Sequence, residues 1–426
     1  MSTAATTVGI IGAGPAGLLL ARLLHNAGVD SVVLELRDRS YVERRQRAGI
    51  LEQATVDVLR AAGAGERLDR EGMVHDGIEL RFDGRSHRIG FPGPTGGRRV
   101  TVYAQTEVVK DLIALQLDQG GPLLFGAEAR TVTGADTGRP VVHYVRGGEE
   151  HSLTCDYVVG CDGFHGVVRD AVPPAVRTTY ERVYPYSWLG VLAEAPPVYD
   201  ELVYAHSPRG FALASMRSPE VSRLYLQVPA GTDPGDWPDA RVWDELDARL
   251  ALRDDPDWKL ARGRITAKSV LPMRSFVTEP LRYGRVFLAG DAAHIVPPTG
   301  AKGLNLAAAD VTVLAEALVS AARDGSAALL DAYSDTCLRR IWRAEHFSYF
   351  MTTTLHTAPG QTPFDTRLQL AQLERIAASE HAGAELAENY TGLPLGRAVP
   401  APTTRLPSGR SPQSGQQRPA QGGFGP

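Results

Sequence analysis

Four short stretches carry residues whose types and spacing suit chemistry on a nucleotide and a small acid. The first is Gly12-Ala13-Gly14-Pro15-Ala16-Gly17, placed between the apolar residues 8–11 and the leucine-rich residues 18–24, with Glu35 after a second apolar run at 31–34. Strand, glycine turn, helix, strand and terminal acid in that order form a dinucleotide-binding βαβ unit. Gly12 permits the tight turn, Gly14 lets the backbone approach a pyrophosphate, Gly17 lets helix and strand pack closely, and Glu35 suits a ribose hydroxyl. The unit alone does not separate FAD from NAD.

The second stretch runs from Gly290-Asp291 through two prolines and Gly300 to Gly303, Leu304 and Asn305. It reads as a strand end, a glycine-rich crossing and a helix starting near Leu304. A helix N-terminus offers unpaired N–H groups and partial positive charge, which suits an electron-rich ring or a developing anion. Asp291 is placed to accept from ligand hydroxyls; the plain alternative is a capped strand-to-helix turn. The third stretch, Cys161-Asp162-Gly163 with His165 and Arg169, ends another strand and is expected to enter a helix. There Asp162 is either a nucleotide contact or an N-cap.

The fourth is a hairpin. Residues 211–217 and 223–228 alternate around a five-residue turn, Ser218-Pro219-Glu220-Val221-Ser222. Symmetric pairing puts Arg217 opposite Arg223 and Ser215 opposite Tyr225, all on one face. Facing arginines repel unless an anion or aromatic ring lies between them, so this face reads as a pocket for a small anionic ligand rather than a solvent face. Arg37, Arg39, Arg44, Arg45 and Arg47 crowd the segment after Glu35. With Asp38 and Glu43 interspersed they read either as a solvated helix face or as a phosphate-contacting cluster; Arg47, which sits where the chain turns into Ala48-Gly49, is favoured as a phosphate contact. His75 reads by itself as a surface histidine.

The elements that must position these residues alternate between strand and helix, so an α/β fold is expected. A helix is expected over 51–62, a strand over 78–82, a loop or hairpin over 85–99, and a strand over 100–103. Gln105 stands at the junction with a helix at 106–117. A β-rich stretch follows over 184–228, and the chain after 304 is mostly helical. From 396 it is rich in Pro, Gly, Ser, Gln and Arg, and disorder is expected. The 426 residues suffice for two or three domains. A net charge of −4 argues against a nucleic-acid or anionic-membrane partner. The three cysteines, Cys155, Cys161 and Cys337, lack metal-site spacing and read as reduced thiols. No leader and no membrane-spanning apolar run are expected.

Together the motifs resemble the single-component FAD-dependent aromatic hydroxylases. The glycine turn with Glu35, Cys-Asp-Gly-Phe-His-Gly with Arg169, and Leu-Ala-Gly-Asp-Ala-Ala-His carry that likeness. Residues 47–53, 103–108, 208–213, 295–305 and 388–394 look closer still to the branch acting on 4-hydroxybenzoate. The resemblance covers about residues 8–394. It implies a Rossmann-like FAD-binding domain (1–75, 100–180, 265–350), a β-sheet substrate domain (76–99, 181–264) and a helical C-terminal region (351–395), with 396–426 outside it.

The resemblance also implies roles. Gly12, Gly14, Gly17, Glu35, Arg47, Gln105, Asp162 and Asp291 would hold FAD, with Leu304 and Asn305 near the flavin ring and Arg223 beside it. Ser215, Arg217 and Tyr225 would bind a substrate carboxylate. Tyr204 would bond the phenol oxygen, Tyr390 would bond Tyr204, His75 would lead protons to solvent, and the Pro298 carbonyl would face the substrate hydroxyl. His165, Arg169 and Arg274 would meet the nicotinamide cofactor, and His294 is structural. Relatives that use NADPH carry Arg directly after the acid; here Leu36 intervenes, so Arg37, Arg39 or Arg45 must supply any cation, and NADH and NADPH both stay open. The implied reaction uses O2 and a flavin hydroperoxide to hydroxylate 4-hydroxybenzoate to 3,4-dihydroxybenzoate. A related aromatic acid, or binding without turnover, are the alternatives. A cytoplasmic homodimer is implied as well.

Overall fold

The computed structural model describes residues 3–45 and 49–394. Arg47 and the segment from 396 onward therefore lie outside the described residues.

The first sheet has eight strands. Its core is parallel: Thr3–Ile11 lies between Ser31–Glu35 and Glu149–Gly160, and Val286–Leu288 pairs beyond the latter. The inner parts of these strands, residues 8–11, 32–34, 157–159 and 286–288, are apolar because helices cover their faces; Pro15–Asn26, Gln105–Asp118 and Gly303–Asp324 supply that cover. Register is what matters for function. Ile11 pairs with Gly160, and Gly160 with Leu288. The three turns after them, at Gly12, Asp162 and Asp291, therefore emerge side by side at the carboxyl edge of the sheet, where α/β folds bind ligands.

The second sheet also has eight strands, in the order His294–Ile295, Arg264–Glu279, Thr178–Glu194, Val221–Pro229, Ala212–Ser218, Leu202–Ala205, Gly77–Phe82 and Arg85–Gly90. Period-two alternation sorts its two faces. Tyr204, Leu213 and Tyr225 lie on the face that packs with the helices Tyr333–Leu355, Pro363–Ala378 and Glu380–Thr391. Val203, Ala214 and Leu224 lie on the opposite face with the helix Asp239–Leu250. Arg264–Glu279 belongs to this sheet although the residues after it return to the first. A small third sheet places Val100–Val102 between Ile50–Glu52 and Met73–His75.

Several local expectations are corrected. After Asp162 the chain does not enter an α-helix: it turns at Gly163, whose φ is 77°, and makes only the 3-10 turn Val168–Ala171 before two prolines. Of the loop or hairpin expected over 85–99, the hairpin forms, Arg85–Gly90 pairing back on Gly77–Phe82, and a short helix, Pro92–Thr95, follows it. His75 is buried on Met73–His75, not at the surface.

The hairpin turn is two residues, Pro219-Glu220, because Ser218 pairs with Val221. Ser215 faces Arg223 and Leu213 faces Tyr225, with a bulge between Met216 and Ser218 that takes up Arg217. The slip from symmetric pairing is two residues, an even number, so the polar groups keep their common face. Finally, the helix Gly303–Asp324 is long and apolar enough to cross a membrane, with 22 residues and mean hydropathy 1.5. Most of its apolar stretch is buried against the rest of the chain, which is what a core helix of this composition requires.

Candidate active site

The glycine turn is constrained as its spacing predicts. Gly12 has φ 102°, and a Cβ there would run into the Cys161 carbonyl oxygen. A Cβ on Gly17 would collide with the Gly12 carbonyl oxygen. Gly14 differs: a Cβ there would meet no atom within 4 Å. Gly14 is the N-cap of Pro15–Asn26 and no side chain caps that end, so its N–H groups face open space. The Glu35 carboxylate accepts from the Ala13 N–H at 2.7 Å and the Arg37 N–H at 2.8 Å, which fixes it beside the turn with lone pairs left over.

Asp162 accepts from the Val168 N–H at 3.0 Å through one oxygen, while the other is buried with no protein partner. Burial raises its pKa, and backbone N–H groups and Arg169 oppose the shift. An orphaned buried acceptor beside an uncapped helix end is a donor and acceptor set that fits a dinucleotide with a pyrophosphate and several hydroxyls. Asp291 is exposed on the 3-10 turn Gly290–Ala292. Asp310, which sequence reasoning missed, holds that turn: its Oδ2 accepts from the Gly290 N–H at 3.0 Å and lies 2.6 Å from His294 Nε2. His294 is thereby tied to the support of this turn.

Asn305 is fully engaged. Its Nδ2 donates to the Ile50 and Ala301 carbonyls at 3.0 and 2.8 Å, and its Oδ1 accepts from the Glu52 N–H at 2.9 Å. It therefore staples the start of Gly303–Asp324 to the third sheet, and Leu304 is half-buried beside it. Ala301, just before, takes a left-handed φ of 54°, strain that structure elsewhere must hold. The Pro298 carbonyl accepts from the Ala301 N–H at 3.0 Å and keeps a second lone pair.

Gln105 opens the helix Gln105–Asp118, and Arg45 is exposed at the end of Arg39–Arg44. There Arg39 is paired with Glu43 at 2.6 Å, and Arg37 lies over the Tyr41 ring at 5.1 Å.

Three separately placed residues converge on one ring. Arg169 and Arg274 lie over Phe164 at 5.2 and 4.4 Å, and His165 meets it edge-on at 4.9 Å. Arg169 also donates to the Phe164 and Ala292 carbonyls at 2.6 and 3.1 Å, tying the Asp162 turn to the Asp291 turn. Phe164 as the hub was not singled out in the sequence; a lone aromatic between Gly163 and His165 is the only signal it gives.

The tyrosines meet as the resemblance implies. The Tyr204 and Tyr390 hydroxyls are 2.6 Å apart, fully buried, with rings edge-to-face at 6.0 Å. Burial raises both pKa values, so both phenols hold their protons at neutral pH. Across the sheet Tyr204 pairs with Leu213 and Leu213 with Tyr225. Ser215 and Arg217 follow Leu213 at alternate positions, so the Arg217 backbone lies roughly 13 Å along the strand from the Tyr204 row.

Arg223 lies over the Tyr225 ring at 5.1 Å. Gly190, opposite Tyr225, is missing from the sequence reading, yet a Cβ there would come within 2.8 Å of Arg223 and 3.2 Å of Tyr225. Burial lowers the Arg217 pKa, the Tyr225 hydroxyl opposing and Arg223 adding to the shift.

His75 is not joined to this pair by any protein hydrogen bond; both its ring nitrogens are buried without a protein partner. Burial lowers its pKa despite Glu201, Asp200 and Asp76 nearby, so it is neutral. Lys302 was missed. Its buried Nζ donates to Glu52 at 2.6 Å and to the Tyr390 carbonyl at 3.0 Å, anchoring the end of the Tyr390 helix. Among the described residues no cluster suited to a metal ion occurs.

The family of FAD binding domains matches residues 5–348. The chain belongs to this family and is an FAD-dependent monooxygenase of the aromatic-hydroxylase type. More narrowly, it is 49% identical over 397 residues to p-hydroxybenzoate hydroxylase of Acinetobacter baylyi, covering 92% of this chain and 97% of that one. It is 25% identical over 399 residues to a probable NADH-specific resorcinol 4-hydroxylase of Rhodococcus jostii, covering 89% and 70%. The crystal structure of p-nitrophenol 4-monooxygenase from Pseudomonas putida shares the fold, with TM-score 0.79 and 20% identity over 92% of this chain and 99% of that one.

Proposed function

We propose that this enzyme converts 4-hydroxybenzoate to 3,4-dihydroxybenzoate with O2 and NADH or NADPH. The observation that carries the reading is the buried Tyr204–Tyr390 hydroxyl pair at 2.6 Å on the same sheet face as Ser215, Arg217 and Tyr225. FAD, when bound, supplies hydride acceptance and oxygen activation. Gly12, Gly14, Gly17 and the helix end at Pro15 cradle its pyrophosphate, Glu35 takes a ribose, and Asp162, Asp291 and Gln105 take hydroxyls. Arg45 and Arg47 contact its phosphate side, while Leu304 and Asn305 set the floor of the ring site and Arg223 lies beside it.

Arg217 grips the substrate carboxylate with two parallel bonds, helped by Ser215 and Tyr225, and thereby orients the ring. The phenol end then reaches Tyr204. A free phenol titrates near pKa 10, so its loss of a proton at neutral pH needs an acceptor chain. Tyr204 accepts from the substrate phenol O–H, hands its own proton on to Tyr390 and then donates to the phenolate so formed, and neutral His75, with both nitrogens available to water, carries the released proton outward. The Pro298 carbonyl, with its spare lone pair, faces the substrate hydroxyl. The apolar walls exclude water. His165, Arg169 and Arg274, gathered on Phe164, dock the reductant.

The nucleotide-binding, substrate-sheet and C-terminal helical parts act as one cytoplasmic homodimer. The exposed Tyr180, Val183, Trp342, Tyr349 and Phe364 favour a second copy as partner, and unpaired Cys155, Cys161 and Cys337 fit a reducing compartment. Oxidation of NADH and NADPH is measured with 4-hydroxybenzoate, 4-aminobenzoate and dihydroxybenzoates, with the product identified. Stoichiometric 3,4-dihydroxybenzoate from 4-hydroxybenzoate is the expected result; reductant consumption without it, or product only from another acid, overturns the reading.

A further inference from the structure

His356 occupies a hub that the proposed reaction does not use. It follows the last residue of Tyr333–Leu355, is almost fully buried, and lies between two rings, Phe211 at 4.4 Å and Tyr186 at 4.9 Å. Its Nδ1 is 2.9 Å from the Thr352 carbonyl oxygen and its Nε2 is 2.6 Å from Trp188 Nε1. A carbonyl only accepts and an indole N–H only donates, so the tautomer is decided: Nδ1 carries the proton and Nε2 accepts from Trp188. Burial, with His206 and Arg249 adding, pushes the pKa down to about 3 against the Thr352 hydrogen bond, which keeps the ring in this neutral form.

Trp188 is the residue so fixed. Two positions before Gly190, it shares the face of Tyr225, and its ring lies 4.9 Å from Tyr225 and 5.2 Å from Phe211, which in turn lies 6.2 Å from Tyr204. An indole held only by stacking slides in its plane; an N–H held at one nitrogen does not. The far side of the hub is tied too, because the Thr352 hydroxyl donates to Thr299 at 2.9 Å in the Pro298–Gly300 turn.

We propose that His356 is a specificity-determining positioning residue: by accepting the Trp188 N–H it fixes the indole as the rigid wall behind Tyr225 and so sets the width of the aromatic-acid pocket. This rests on the pocket assignment above. With the wall fixed, the site takes a flat benzoate and rejects ring-substituted analogues. With the acceptor removed, the indole drifts, the fit to the flat acid weakens, and wider acids are tolerated.

The test uses the FAD-loaded enzyme labelled with 15N-tryptophan. Trp188→Phe assigns the Trp188 indole N–H resonance, which is expected far downfield and to shift upfield in His356→Met but much less in His356→Gln, whose carbonyl still accepts. Dissociation constants for 4-hydroxybenzoate and its 3-methyl derivative are read from flavin absorbance. In His356→Met the constant for 4-hydroxybenzoate is expected to rise about tenfold, the worth of roughly one hydrogen bond, with the 3-methyl derivative changed less than about twofold. KM should rise with kcat at saturation little changed, and His356→Gln should restore most of the selectivity. Equal loss for both acids, an unmoved indole resonance, or a moved resonance with unchanged selectivity each overturns the proposal. If Arg217→Ala leaves both affinities unchanged, the pocket assignment itself fails, whatever His356 does.

Discussion

Arg217→Ala is the most informative single change. The guanidinium is already stripped of much of its water by the fold, as its lowered pKa reflects, and Arg223 repels it. A carboxylate arriving there meets a cation whose desolvation is largely complete. Two unit charges about 4 Å apart at an effective dielectric near 20 attract by about 4 kcal/mol before the acid's own dehydration. Truncating one member of such a pair typically costs 2–5 kcal/mol, or roughly 30- to several-thousand-fold in affinity. We expect the dissociation constant for 4-hydroxybenzoate, titrated by flavin absorbance, to rise at least about thirtyfold by this arithmetic. Arg217→Lys should recover only part, since a point charge lacks the fork. Bound FAD should be retained, because the glycine turn stands on the other sheet. Unchanged affinity, or loss of FAD together with affinity, refutes the reasoning.

Three further outcomes are expected. Tyr204→Phe removes a buried hydroxyl and leaves that of Tyr390 unpaired, which should cost about 1–3 kcal/mol of stability; flavin reduction should persist while product per reductant falls, and full coupling would exclude the relay. Gly17→Ala forces a methyl onto the Gly12 carbonyl, so purified protein should emerge with little FAD and fail to regain it; a yellow, active variant would refute the close-packing role. His294 has a raised pKa, because Asp310 outweighs the burial that would lower it. The stability from this pair is therefore full below the unfolded value near 6.5 and is lost as pH rises through the folded value. The gap in melting temperature between the parent enzyme and His294→Asn should shrink as pH rises above about 6.5; a gap that widens would reverse the assignment.

Glycines and acids at strand ends were legible in the sequence because their effect is local. Gly12, Gly14 and Gly17 act within one turn, and Glu35 closes the same βαβ unit. Alternation fixed the shared face of Ser215, Arg217, Arg223 and Tyr225, and that face survived a misjudged turn because the slip was even. The α/β class, the helix after Gly303 and the strand before Gly290 followed from period and punctuation in the same way.

What only the tertiary structure decided are contacts between residues far apart in the chain, whose partners no local pattern names. Tyr204 meets Tyr390 across 186 positions, and Asn305 and Lys302 reach Ile50 and Glu52 across about 250. His75 is buried because a strand forms with Val100–Val102, a pairing set by the opposite edge of that small sheet. The bulge at Arg217, the convergence of Arg169 and Arg274 on Phe164, and the neutral tautomer of His356 are of the same kind. Local sequence chooses backbone conformation and face; which side chains face one another across the core is settled only when whole elements pack.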